Sequence, residues 1–319
     1  MKELLERIKR LRLLVVGDVM LDKYLWGDVS RISPEAPVPV LLVDGERSVA
    51  GGAANVALNV SALGAEVEAC GFFGKDEAGE TLQGILAEAG VNCDESFASD
   101  ASPTICKTRL MAGNQQICRL DREESSSSYH PELGSAADSL AEKAKAADAV
   151  IVSDYGKGFI TDDLLALLRR EADFLAIDPK PRRPVYYSSP DLMTPNKTES
   201  LQLAGLDKAD FSDFPEEAVT EAIVEGHKPR LLAITLGGDG MLLAENGKVL
   251  RRIPTAAREV FDVSGAGDTV IAALTLALAA GASFEESAAF ANVAAGVVVG
   301  KVGTACASPE EIVAAISES

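Results

Sequence analysis

Asp268 ends the turn Phe261-Asp262-Val263-Ser264-Gly265-Ala266-Gly267-Asp268-Thr269, and an Ala/Leu-rich stretch with helical character follows it. A Gly-Ala-Gly turn at a helix start leaves backbone N–H groups directed outward, where the helix dipole adds partial positive charge; that is an anion site. A carboxylate beside it suits transfer of a phosphoryl group from a nucleotide. The amides of Gly265, Ala266 and Gly267 would hold the charge of the moving group while Asp268 takes a proton from an attacking hydroxyl. The simpler alternative is a glycine turn with a first-turn Asp that only caps a helix.

A second glycine turn, Gly51-Gly52-Ala53-Ala54-Asn55, opens another helix-like run that closes at Gly64. Upstream, Leu13-Leu14-Val15-Val16-Gly17-Asp18 reads as a buried parallel strand ending in an acid, with Asp22 just beyond. Carboxylates at a strand's carboxyl end, facing a turn without side chains, suit sugar hydroxyls; the alternative is an N-cap Asp and a packing glycine pair. Thr194-Pro195-Asn196-Lys197-Thr198-Glu199 follows a third apolar run and opens a helix, so Asn196 and Glu199 stand one turn apart and can face one cleft. Taken alone, that pattern is a capping box. Ile234-Thr235-Leu236-Gly237-Gly238-Asp239-Gly240 is a strand followed by a glycine turn.

Elements that could position these groups alternate along the chain. Strands are predicted near Leu13–Asp18, Val67–Phe72, Ala149–Asp154, Phe174–Asp178, Leu192–Thr194, Leu231–Thr235 and Gly240–Ala244. Helices are predicted near Ala53–Leu63, Ala78–Ala89, Glu132–Ala146, Asp162–Arg170, Glu216–Glu225, Ala266–Ala280, Phe284–Val299 and Pro309–Ile316. This is a doubly wound α/β pattern with a mostly parallel sheet, and Glu245-Asn246-Gly247-Lys248 marks an antiparallel hairpin at its edge. Residues 1–319 read as one domain, with extra strands near 34–43 and 104–122 interrupting the βα rhythm.

On these residues the chain resembles the PfkB/ribokinase family of sugar kinases over nearly its whole length. Further points are Val15-Val16-Gly17-Asp18-Val19-Met20-Leu21-Asp22, the block Ser30 to Val40, Asn114-Gln115-Gln116, Ser153-Asp154-Tyr155, Asp178-Pro179-Lys180 and Val297-Val298-Val299-Gly300-Lys301. They make it similar to the branch that phosphorylates D-glycero-β-D-manno-heptose 7-phosphate. Val263, where the wider family usually has Thr, matches that branch. The resemblance implies a ribokinase-like fold with a small β lid, which often pairs with a second subunit's lid in a homodimer. It implies ATP-dependent transfer to O1 of the heptose, giving the 1,7-bisphosphate, in ADP-heptose and lipopolysaccharide-core biosynthesis; the alternative is a PfkB-type kinase of another sugar or sugar phosphate.

Residue by residue, the resemblance makes Asp268 the general base and puts Asn196, Lys197, Thr198, Glu199, Thr235, Gly237 and Gly240 at the nucleotide, with Glu199 reaching Mg²⁺ through water. Asp22, Gly51, Gly52 and Asn55 match positions that hold sugar hydroxyls. Lys107, Arg109, Lys157 and Lys180 are basic candidates for the distal phosphate, with Lys180 best placed after its strand. Gly300 and Gly303 lie where related kinases bind a monovalent cation such as K⁺.

Other classes fit less well. A net charge of −19 attracts neither nucleic acid nor an anionic membrane surface, so anionic substrates must be drawn by local cations, metal and helix amides. No G-x-G-x-x-G follows the first strand, against a nicotinamide oxidoreductase, and no P-loop is present. Asp268 argues against a catalytically dead sugar sensor. Five cysteines without a C-x-x-C pair point to neither a disulfide framework nor zinc, and a reducing cytoplasm is the expectation. The charged start, Lys2 to Arg10, reads as an amphipathic surface helix and not as a signal sequence. The apolar run Val270 to Ala282 is shorter than the ~20 residues a membrane span needs.

Overall fold

The computed structural model describes residues 1–113, 115–134, 136–182, 185–207, 213–257, 260–301 and 303–317. In chain order its elements begin with α1 (Lys2–Ile8), β1 (Arg12–Gly17), β2 (Val19–Ile32), β3 (Pro39–Gly52), α2 (Ala53–Ala62), β4 (Glu66–Cys70), α3 (Glu77–Glu88) and β5 (Asn92–Asp94). They continue with β6 (Cys106–Ala112), β7 (Gln115–Arg122), α4 (Ala136–Ala146), β8 (Ala149–Ser153), α5 (Asp162–Glu171), β9 (Leu175–Asp178), β10 (Leu192–Met193) and α6 (Lys197–Ala204). The last are α7 (Glu216–His227), β11 (Leu231–Thr235), β12 (Met241–Glu245), β13 (Lys248–Ile253), α8 (Ala266–Ala279), α9 (Phe284–Val299) and α10 (Pro309–Ser317).

Strand β1 shows why the central strands are apolar throughout. Leu13 and Val15 enter the core on one side of the sheet, and Leu14 and Val16 enter the core on the other. β8 divides likewise, Ala149 and Ile151 to one side and Val150 and Val152 to the other. Strands buried on both faces lose the period-2 alternation and read as continuous hydrophobic runs. The nine-stranded sheet has the order β13-β12-β11-β10-β9-β8-β1-β4-β5, parallel except for β12, which pairs antiparallel with both β11 and β13. Helices cover both faces. Their starts carry local signals: Thr161 caps α5 by accepting from the Leu164 N–H, and Ser283 forms a capping box with Glu286 at α9.

Strand order places the site. From β1 the chain steps to β4 and β5 on one side, then returns to β8, β9, β10 and β11 on the other. The crevice at such a reversal, outside the carboxyl ends of the strands, is where doubly wound sheets bind ligands. Asp18 follows β1 there and Asp154-Tyr155 follows β8, with Gly17 and Ser153 in register.

The second sheet, β3-β2-β6-β7, is the lid. Its strand β2 is absent from the predicted elements, and the strand expected near 34–43 is displaced into β3 at Pro39–Gly52. Only Asp18 separates β1 from β2, so no turn signal marks the boundary, and residues 34–38 form the exposed hairpin tip. Asn114 falls outside the described residues.

Gly52 joins lid to core. It has φ +58°, and a Cβ there would lie 2.3 Å from the Asp18 carbonyl oxygen. Gly52→Ala should lower stability by more than about 1 kcal/mol, since both the left-handed backbone and the close approach oppose a side chain. Chemical denaturation checks this; an Ala variant as stable as the parent would refute it.

Candidate active site

Asp268 stands in the first turn of α8 with only 3% of its surface exposed. Gly265 caps that helix at φ +78°, and a Cβ on it would approach Asn55 Nδ2 to 2.8 Å, so turn and neighbour both require glycine. Both carboxylate oxygens are held. Asn55 Nδ2 donates to Oδ2 at 2.6 Å, and the Tyr155 hydroxyl donates to Oδ1 at 2.7 Å. Burial pushes this carboxyl up to about 6, against the two hydrogen bonds, which pull it down.

A hydrogen-bonded ring fixes α2 against α8. Asn59 Nδ2 donates to the Asn55 carbonyl at 2.9 Å, and Thr269 Oγ1 donates to Asn59 Oδ1 at 2.8 Å, returning to the residue beside Asp268. Asn59 and Thr269 are absent from the sequence-predicted set; their one signal is a second Asn one turn beyond Asn55 in the same mostly apolar helix. Of the three turn amides, the Ala266 N–H is engaged with the Val263 carbonyl at 3.2 Å, while Gly265 and Gly267 line the cavity beside Asp268.

That cavity, of about 120 Å³, is also lined by Asp178, Lys180, Asn196 and Glu199. Asn196 and Glu199 form the capping box: Asn196 Oδ1 accepts from the Thr198 and Glu199 N–H groups, and Glu199 Oε2 accepts from the Asn196 N–H. The other Glu199 oxygen pairs with Lys180 Nζ at 2.5 Å. Capping uses one face of Glu199 and leaves the other turned toward Lys180. Asp178 accepts from Thr194 Oγ1 at 3.2 Å, and burial, followed by Glu199 and Asp268, raises its carboxyl well above the ordinary range. Among the described residues no group of three or more His, Cys, Asp or Glu is arranged to hold a metal ion.

A larger cleft of about 650 Å³ adjoins it, lined by Asn196, Lys197, Thr198, Thr235, Gly237 and Gly240 from the predicted set. The Thr235 N–H donates to the Pro195 carbonyl at 3.0 Å, which ties the two strand ends together. Asn292 and Gly296 of α9 form the far wall. Asn292 Nδ2 donates to the Pro254 carbonyl at 2.7 Å, and a Cβ on Gly296 would reach within 3.2 Å of Ala256 backbone. Their signal was an Asn and a Gly one turn apart in an Ala/Val helix.

On the lid side, Asp22 accepts from Arg109 Nη1 at 2.7 Å, and the Arg109 guanidinium lies 5.1 Å from the Tyr24 ring centroid. Gly51 leaves room for Asp22, since a Cβ there would lie 2.6 Å from its Oδ2. Lys107 Nζ sits 2.9 Å from Met20 Sδ and 5.8 Å from the Tyr155 ring centroid, and burial lowers its pKa. Lys157 pairs with Glu123. Lys180 is therefore apart from the lid cations, on the side of Asn196 and Glu199. Asp18, grouped with Asp22 by sequence, is taken up by backbone: its carboxylate accepts from the N–H groups of Tyr155 at 2.8 Å, Lys157 at 3.0 Å and Phe159 at 3.1 Å.

Known proteins show the same arrangement of chain. A curated relative from Desulfatibacillum aliphaticivorans, named bifunctional protein HldE, is 42% identical over 311 residues covering 96% of this chain; the chain spans 63% of that relative's length. Arabidopsis thaliana ribokinase, solved with ribose and ATP, superposes with a TM-score of 0.78 at 22% identity, covering 97% of this chain and all of that one. Escherichia coli phosphofructokinase-2, solved with potassium, gives 0.76 at 19% identity, covering 97% and 98%. These two likenesses establish the fold. The pfkB carbohydrate kinase family matches residues 10–311, from the turn before β1 into α10 and so including the helix start that carries Asp268, and the chain belongs to that family of carbohydrate kinases.

Proposed function

We propose that this chain, over residues 1–319 as one kinase domain, transfers the γ-phosphoryl group of ATP to O1 of D-glycero-β-D-manno-heptose 7-phosphate, in ADP-heptose and lipopolysaccharide-core biosynthesis. One observation carries the reading: Asp268 is buried where the nucleotide-side cavity meets the residues that face the lid. A carboxylate at about 6 is ionised at neutral pH and still basic enough to accept a proton. The O1 proton passes to Asp268, the O1–P bond forms, and the bond from phosphorus to the bridging oxygen breaks with ADP leaving. Gly265 and Gly267 amides face the transferring group.

Asn196, Lys197, Thr198, Thr235, Gly237 and Gly240 line the space for the nucleotide, and the exposed Val260 and Val263 add apolar surface that a bound base would cover. Glu199, the carboxylate of the Asn196 capping box, is the proposed contact through water for Mg²⁺ that arrives on nucleotide phosphates; the ion would supply charge neutralisation there. The Gly303 N–H, which donates to Asp262 at 3.1 Å, and the Val299 carbonyl, which accepts from the Phe261 and Asp262 N–H groups, keep Gly300 and Gly303, proposed for K⁺, beside the catalytic turn.

Asp22, Gly51, Gly52 and Asn55 stand on the sugar side, with the Asn55 amide nitrogen committed to Asp268. Lys107 and Arg109 are the distal-phosphate candidates that share the lid with Asp22. The heptose assignment rests on the motif resemblance together with the HldE relative. A second copy of the chain would cover the exposed apolar lid residues Ile32, Leu42 and Leu120, and the cytoplasm is the compartment the reading requires.

Three outcomes test the reading. In a coupled ADP-release assay kcat/KM should fall as pH drops through about 6, and Asp268→Asn should lose at least ~10²-fold in kcat with ATP binding retained. Because burial raises the Asp268 pKa above its unfolded value, its contribution to stability is present at low pH and is lost as pH rises through about 6; Asp268→Asn should therefore melt higher, by an amount worth roughly 2–3 kcal/mol at neutral pH. Retained turnover in that variant would remove the base.

Lys180→Ala should reduce kcat/KM equally on heptose 7-phosphate and on the unphosphorylated heptose, as its pairing with Glu199 implies. A loss confined to the phosphorylated sugar, of roughly 1.5–3 kcal/mol, would return Lys180 to the distal phosphate. Leu42→Glu should convert a dimer to a monomer in light scattering; an unchanged mass would separate Leu42 from the interface.

A further inference from the structure

Ser153-Asp154-Tyr155 is a motif with no role in the scheme above, yet its tyrosine touches the base. Asp268 is a short side chain whose terminal torsion is broad and roughly two-fold, so its carboxylate plane is not fixed by its own rotamer. Two donors on separate elements fix it. Asn55 of α2 takes Oδ2, and the Tyr155 hydroxyl, from the segment after β8, takes Oδ1. Each carboxylate oxygen has two acceptor sites, so both clamps leave room for a substrate hydroxyl.

The tyrosine is itself pegged. Asp18 accepts from the Tyr155, Lys157 and Phe159 N–H groups, Asp154 Oδ1 accepts from the Gly156 N–H at 2.7 Å, and the Tyr187 hydroxyl donates to Asp154 Oδ2 at 2.6 Å. A segment tied at this many points presents its hydroxyl as a fixed donor. Asp18 thus acts on the base from a distance, through five residues of backbone.

We propose that Tyr155 is a positioning residue for proton transfer, which orients the Asp268 carboxylate toward the attacking hydroxyl and tunes its basicity through the bond to Oδ1. The inference rests on Asp268 as the base. Burial, then Asp268, holds the phenol of Tyr155 well above its ordinary pKa, so it remains a donor through the working range. Other groups face Asp268 as well. Asp22 on β2 raises it, Lys107 on β6 lowers it, and Asp178 at the end of β9 and Cys306 after α9 feel its charge. The Glu199–Lys180 pair acts through Asp178. None of these is removed by changing Tyr155.

The test uses the whole chain and whichever sugar the wild type phosphorylates best. Tyr155→Phe should move the acid limb of kcat/KM to higher pH, by on the order of one pH unit for one lost hydrogen bond to a charged group, with ATP affinity unchanged. Replacing Tyr155 with 3-fluorotyrosine, a stronger donor of nearly the same shape, should move that limb to lower pH. Opposite displacements are not produced by a residue that only supports the fold. If the limb stays at the wild-type position in the phenylalanine variant, or if the fluorinated enzyme shifts upward, the proposal is overturned. Should the phenylalanine variant fail to fold by circular dichroism, the fluorinated enzyme decides alone. Asp268→Asn run in parallel separates the two ideas: an acid limb that survives in that variant removes the base and the clamp with it, whereas a limb lost there but unmoved in Tyr155→Phe overturns the clamp alone.

Discussion

The base proposed at Asp268 must be withdrawn from water without becoming permanently protonated, and that requirement bears on the whole structure around this carboxyl. Burial alone would drive the carboxyl up; the two donors, Asn55 and Tyr155, hold it at about 6. Those donors come from opposite sides of the chain's course, one from the helix entered out of the lid and one from the loop after a central strand. Their convergence depends on α2 packing against α8 and on β8 lying beside β1. Sheet order, the Gly52 joint and the Asn59–Thr269 contact all serve that meeting point.

Electrostatics near the site run against the chain as a whole. Within a molecule of net charge −19, the small cavity holds Asp178, Glu199 and Asp268 against Lys180. An anion entering that cavity meets these carboxyl groups, so Lys180, the helix amides and any metal that comes with the anion must outweigh them. The lid repeats the arrangement with Asp22 facing Arg109 and Lys107 across the β2–β6 register. Arg109 and Lys180 are each placed by pairing with an acid, Asp22 and Glu199 respectively.

Much of the fold was legible in the sequence because the central strands and helices obey strong periodicities: α9 spans Phe284–Val299 as predicted, and β11 spans Leu231–Thr235. What escaped was set by tertiary context. β2 follows β1 after one residue, so two strands in different sheets share one apolar run. Asp18 and Asp22 look alike in sequence, yet one is consumed by three backbone amides and the other faces Arg109. Tyr155 was visible as a motif, but no local pattern says that its hydroxyl meets a carboxylate 113 residues away. Ala266 was read as an outward amide, whereas the turn's own bond to Val263 claims it. Helix caps and buried runs are local facts; which polar group reaches which partner is not.

The division of labour between the two sheets has a consequence for how such a protein can diverge. The groups that hold Asp268 come from the core, whereas Asp22, Lys107 and Arg109 lie on lid strands attached through Asp18, Gly52 and the chain leading into β6. Side chains on a lid strand alternate between its faces, so individual positions on one face can be exchanged without disturbing the pleat. On the sugar-side assignment proposed for Asp22, Lys107 and Arg109, a lineage could change the sugar it accepts by drifting on one small sheet while Asn55 and Tyr155 go on holding Asp268. The ancestry of the reaction and the ancestry of its substrate would then be recorded in different parts of one chain.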